Sequence, residues 1–133
     1  MRVVFDTNVL LSSVLWHGSV SQKLLFKLIH SDVEIFSSIE IISEFHKVLK
    51  RDFEYSDDEI TYILEKIFSF VTLIRPLQKL DIVKDDPEDN KIIECAVAAS
   101  SDYIITYDKH LLNLKEFKNI KIITPEKALE LIK

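Results

Sequence analysis

Arg2-Val3-Val4-Phe5-Asp6-Thr7-Asn8 places a short run of valine and phenylalanine directly ahead of an acid. Runs this short, rich in Val, Ile, Phe or Tyr, read as buried strands. Others follow at residues 33–36, 71–74, 103–106 and 121–123. Helical patterns lie between them, several with their start signals written out. Ser37 with Glu40 and Ser56 with Glu59 each predict a capping box. Asp86-Pro87 and Thr124-Pro125 each set a capping residue before a proline at the first helical position. Leu24, Leu25, Leu28 and Ile29 mark one apolar helix face, and Ile60, Ile63, Leu64, Ile67 and Phe68 mark another. Strand alternating with helix predicts an α/β fold with a parallel sheet wrapped on both faces. No repeat or linker divides residues 1–133, so a single domain is expected.

In such a sheet, ligands sit beyond the carboxyl ends of the strands. Asp6 follows the first strand immediately, and Asp108 lies two residues after the run ending at Thr106. Each also suits the cap of the helix that follows, so capping competes with a functional role. Asp89 is harder to explain by capping alone. Ile92, Ile93, Ala96 and Val97 define the buried stripe of the helix starting near Pro87, and Asp89 continues its middle. Glu94 is expected on the solvated side. An inward carboxylate costs several kcal/mol unless something pairs with it. Glu44 borders the stripe Ile41, Phe45, Val48 and Leu49, with Glu40 and Lys47 turned outward. Four acids at one sheet edge would repel one another and call for a cation. Mg2+ or Mn2+ suits carboxylate oxygens and could polarise a phosphodiester and activate water, with a second ion steadying the leaving oxygen.

Composition removes several alternatives. The chain is 47% hydrophobic and 29% charged, which suits a globule with a core. A formal charge of −5 argues against a polybasic nucleic-acid binder, though not against an enzyme meeting nucleic acid at a local site. The single Gly18 rules out a P-loop or a dinucleotide-binding turn. The lone Cys95 rules out a disulfide framework, a cysteine zinc site and a CxxC redox centre. Asp6 and Asn8 interrupt what would otherwise be a signal-peptide apolar run, and no segment approaches a membrane span. A cytoplasmic location is the expectation.

The block Val3-Val4-Phe5-Asp6-Thr7-Asn8-Val9-Leu10-Leu11-Ser12 resembles the opening strand and turn of PIN domains, and residues 37–49 resemble their following helix with its inward glutamate. Asp86-Pro87-Glu88-Asp89-Asn90-Lys91 is similar to the acidic helix start of one subgroup, the toxin components of toxin–antitoxin modules. Tyr103-Ile104-Ile105-Thr106-Tyr107-Asp108-Lys109-His110-Leu111-Leu112 and the closing Ile122-Ile123-Thr124-Pro125 complete the series in order. Tyr107 stands where the family often has glycine or arginine. The resemblance implies a Rossmann-like three-layer α/β/α domain with a five-stranded parallel sheet. It further implies a Mg2+- or Mn2+-dependent endoribonuclease acting on RNA, restrained by an antitoxin, with homodimerisation a family expectation. Asp6, Glu44, Asp89 and Asp108 would be the catalytic and metal-binding acids. Asn8 and Thr106 would hydrogen-bond them or orient water, in competition with ordinary turn and strand-end roles. Asp86 could be an accessory acid, with helix capping the favoured role.

Lys47, Lys91 and Lys109 flank these acids and are candidate phosphate contacts. Trp16 and His17 suit base stacking or simple packing. The histidines show no metal-binding spacing. An aspartyl-nucleophile phosphatase is a rival, but Asn8 stands where the haloacid-dehalogenase pattern needs an acid, and a receiver domain fits no better. The non-enzyme rival is a binding module that acts through its protein partner alone.

Overall fold

In the computed structural model of the chain, which describes residues 1–132, alternate residues of the central strands feed two separate cores. Val3 and Phe5 of β1 (Arg2–Phe5) join Ile35 and Ile105 on one face of the sheet. Val4 joins Phe36, Ile104 and Ile122 on the other. This period of two is what a strand buried on both faces requires, and it makes the domain three-layered. One layer contains α1 (Thr7–Leu15), α2 (Val20–Ile29), α4 (Asp57–Phe68) and α7 (Pro125–Leu131). The other contains α5 (Asn90–Ala98) and the short α6 (Lys109–Leu112). Helix α3 (Ile39–Arg51) buries Ile42, Phe45 and Leu49 in the first core and Ile41 in the second.

The sheet also holds β2 (Glu34–Ser37), β3 (Val71–Leu73), β4 (Tyr103–Ile105), β5 (Glu116–Phe117) and β6 (Ile120–Ile123), in the order β3-β2-β1-β4-β6-β5. The five expected strands are present and parallel. A sixth, β5, was not expected; it adds an antiparallel edge through a hairpin with β6. Its two-residue turn, Lys118-Asn119, has positive φ at both positions, the type I′ geometry that matches strand twist. From β1 the chain runs outward to β2 and β3, then returns to lay β4 on the opposite side of β1. The carboxyl ends of β1 and β4 therefore form the topological switch point.

Most start signals hold. Ser56 and Glu59 make the reciprocal capping box, and Thr124 caps α7 through the Lys127 N–H. The box expected at Ser37 does not form: Ser37 completes β2, Ser38 caps α3 by accepting from Ile41, and Glu40 falls one residue short of the position that would complete a box. Glu94 departs furthest from expectation: it is buried, not solvated. Its Oε2 accepts the Leu80 N–H at 2.8 Å, while Asn90 Oδ1 accepts the N–H groups of Ile82 and Val83 at 3.0 and 2.8 Å. These two side chains of α5 satisfy the backbone of the long β3–α5 connection, whose amides have no strand to pair with. Replacing Asn90 by alanine strands two of those donors. We expect Asn90→Ala to lose about 2–3 kcal/mol in urea unfolding, with faster proteolysis within residues 74–86.

Candidate active site

Phe5 pairs with Ile105, so the next residues, Asp6 and Thr106, lie side by side at the sheet edge. The Asp6 N–H donates to the Ile105 carbonyl at 3.1 Å, and the Thr106 hydroxyl donates to Asp6 Oδ2. Asp6 Oδ1 accepts the Val9 N–H at 2.8 Å and so caps α1. Asp108 repeats the device: its Oδ1 accepts from His110 and Leu111 at 2.8 and 3.2 Å to cap α6. Thr106 is fully buried and also accepts the Asp108 N–H at 2.9 Å, tying the two acids together. The capping reading and the functional reading are thus compatible. Each carboxylate spends one oxygen on its helix, which fixes the direction of the other.

Asp86, Asp89 and Asp108 offer carboxylate oxygens that lie within 4.8 Å of one another. Asp89 ends a 3-10 turn, Pro87–Asp89, and its Oδ2 is buried without a hydrogen-bond partner. Asp86 does not cap that turn with its side chain; only its carbonyl accepts, from Asp89 N–H at 3.0 Å. The capping role expected for Asp86 is therefore corrected. Proline fixes the turn, and the Asp86 carboxylate is left to join the cluster.

Glu44 stands to one side on α3. Its Oε1 accepts the Thr7 hydroxyl at 2.5 Å and its Oε2 accepts the Lys91 ammonium at 2.8 Å. Lys91 also bonds Glu88 at 3.0 Å. Burial pulls Lys91 down, but Glu44 and Glu88 outweigh it and hold the ammonium above its ordinary pKa. Of the three candidate phosphate contacts, Lys47 and Lys109 are exposed, while Lys91 is committed to this bridge. Lys47 and Arg51 line an open groove of about 660 Å³ between α3 and α5, with Glu44 and Lys91 among its lining residues. Asn8 is exposed and, among the described residues, makes no hydrogen bond to the acids. Thr7, which the sequence reading passed over, supplies that contact instead. Its only signal was a hydroxyl next to Asp6 at the start of α1. Trp16 is half exposed, its ring 6.5 Å from that of Phe53.

The electrostatics follow from this crowding. Burial raises Asp6 to about 6, opposed by the Thr106 and Val9 hydrogen bonds and reinforced by Asp108 and Glu44. Burial also raises Asp89 to about 8, aided by Asp108 within hydrogen-bonding reach and by the charges of Asp86 and Asp6. A site of hard oxygen donors, with an orphaned buried carboxylate oxygen, fits Mg2+ or Mn2+. Bound positive charge would reverse the repulsion that now favours protonation.

Comparison with known proteins agrees with this architecture. A family model described as PIN domain matches residues 2–110. An uncharacterized protein of Methanocaldococcus jannaschii is 27% identical over 142 aligned positions, spanning 98% of this chain and 90% of the relative. The crystal structure of VapBC2 from Rickettsia felis, bound to a DNA fragment from their promoter, contains a chain of similar fold. It superposes with a TM-score of 0.68 at 16% identity, covering 93% of this chain and 98% of the other.

Both raised acids hold protons in the folded state that the unfolded chain, near 3.8, has already released. Between these limits the folded state binds more protons, so stability falls as pH rises. Metal-free protein should therefore lose thermal stability progressively up to about pH 6 through Asp6 and about pH 8 through Asp89. Asp89→Asn should flatten the upper part of that slope and raise Tm at pH 8. Melting curves in EDTA across this range test both expectations.

Proposed function

This chain belongs to the PIN domain family, and we propose that it is a Mg2+- or Mn2+-dependent endoribonuclease, the toxin of a toxin–antitoxin pair. PIN domains are generally nucleases, and an acidic cluster of the kind they use is present here. The observation that carries the proposal is the convergence of Asp86, Asp89 and Asp108 beside the buried Asp6 at the switch point of the sheet.

A bound Mg2+ or Mn2+ would supply Lewis-acid polarisation of a phosphodiester and a more acidic water. Asp86, Asp89 and Asp108 are the residues to hold it, with Asp6 and Glu44 flanking them. Helix-capping bonds restrain Asp6 and Asp108, so these acids need little reorganisation when the ion arrives. Thr106 holds Asp6 in place and connects it to Asp108. Lys47 and Lys109, both exposed, would meet phosphates of the RNA strand. The exposed Tyr107 donates its hydroxyl to Glu126 at 2.9 Å and gives that edge an aromatic rim.

An antitoxin would act by covering this open cleft, a reading supported by the fold shared with a chain of the VapBC2 complex. Homodimerisation is part of the proposal, with the exposed Phe26 and Ile29 of α2 and Leu131 of α7 available for it. The proposed action on RNA would take place in the cytoplasm. No helix among the described residues is long and apolar enough to cross a membrane.

The test is cleavage of single-stranded RNA by purified protein with Mn2+ or Mg2+. We expect cleavage that EDTA abolishes and that Asp6→Asn, Asp89→Asn and Asp108→Asn each reduce by about 100-fold or more. Folded wild-type protein that binds Mn2+ yet leaves every RNA intact would overturn the nuclease reading and favour an interaction module.

A further inference from the structure

Lys91 lies two residues beyond Asp89, in the first turn of α5, and reaches across to the middle of α3. Its ammonium stands 2.8 Å from Glu44 and 3.0 Å from Glu88. The Lys91 side chain is only 14% exposed, against 33% for Glu44 and 81% for Glu88, so the Glu44 pair is the sheltered one. The other oxygen of Glu44 is taken by the Thr7 hydroxyl at 2.5 Å. Both oxygens of Glu44 thus have donors, while Asp89 Oδ2 is buried with none. The oxygens that converge within 4.8 Å belong to Asp86, Asp89 and Asp108, without Glu44.

We propose that Lys91 is a positioning residue that keeps Glu44 out of the cation's coordination shell, so that the chain holds one divalent ion where its acids would otherwise hold two. The inference rests on reading the Asp86–Asp89–Asp108 cluster as a cation site. The ammonium occupies the side of Glu44 Oε2 from which a cation would compete with it, and the Thr7 hydroxyl engages the other oxygen. The ammonium is tethered to the chain, so its local concentration stays high whatever the metal concentration. Displacing it would break a sheltered, charge-assisted pair and leave Lys91 only the exposed Glu88. Glu44 is then an anchored anion beside the ion, positioned by Thr7 and Lys91 and not ligating it.

Counting bound Mn2+ tests this, by calorimetry and by electron paramagnetic resonance, on full-length wild type, Lys91→Met and Lys91→Arg. Wild type should bind a single ion with an uncoupled Mn2+ spectrum. Lys91→Met should bind a second ion and show the dipolar coupling of neighbouring Mn2+ centres. Lys91→Arg, which keeps the charge and can bridge two carboxylates, should stay at one. Removing a positive charge for purely electrostatic reasons would tighten the first ion without adding another, so the count separates the two effects. A coupled pair in wild type overturns the proposal without any variant, as does a single ion in folded Lys91→Met. Wild type that binds no Mn2+ at all overturns the cation-site reading itself, and the role of Lys91 falls with it.

Discussion

The parallel pairing of β1 with β4, Val3 opposite Tyr103, Val4 opposite Ile104 and Phe5 opposite Ile105, brings together residues about a hundred positions apart in the chain. Each strand is buried on both faces, so a slip of one residue would exchange the two cores. The register is therefore held by hydrophobic packing well away from the edge where it matters. One residue beyond the last pair, Asp6 meets Thr106, and two residues further on Asp108 turns back toward both. Core packing in this way sets the geometry of a polar cluster that could not assemble itself, because its members repel.

Helix capping resolves part of that conflict. A carboxylate at the end of a buried strand is costly, and the first N–H groups of a helix are unsatisfied. Asp6 and Asp108 answer both needs with one oxygen each, and the positive end of the following helix favours their charge. The remaining oxygens are held at fixed positions by bonds that serve stability. Asp89 has no such compensation on Oδ2, and its proton affinity rises accordingly. This unpaired oxygen, beside two further carboxylates, is the feature on which the proposal of a bound cation rests.

A second arrangement surrounds this centre. The long connection between β3 and α5 has few backbone partners of its own, and Asn90 and Glu94 of α5 supply them. This holds the connection against the start of α5, where Asp86 and Asp89 are displayed. Lys91 then links α5 to α3 through Glu44. The same helix therefore anchors the loop with Asn90 and Glu94 on one face, follows directly on the acids of the turn before it, and neutralises the glutamate through Lys91 on another face.

Local chemistry alone determined a good deal of this protein. The strand runs, most caps, the α/β class and the places of Asp6, Asp89 and Asp108 at strand and helix ends follow from hydrophobic period and local start signals, which need only near neighbours in sequence. The displaced cap at Ser38 was a boundary of one residue, decided by how far β2 pairs with β3, and β5 was too short to leave a pattern. Tertiary structure decided the rest. Glu94 is buried because a distant loop lays its Leu80 N–H against it, and Asp86 joins the acids because its turn is already held by proline and backbone. Thr7 in place of Asn8, and the bridge from Lys91 to Glu44, depend on α1 and α5 meeting α3. A charged side chain chooses its partner from whatever the fold brings within about 3 Å, and that choice cannot be made along the chain.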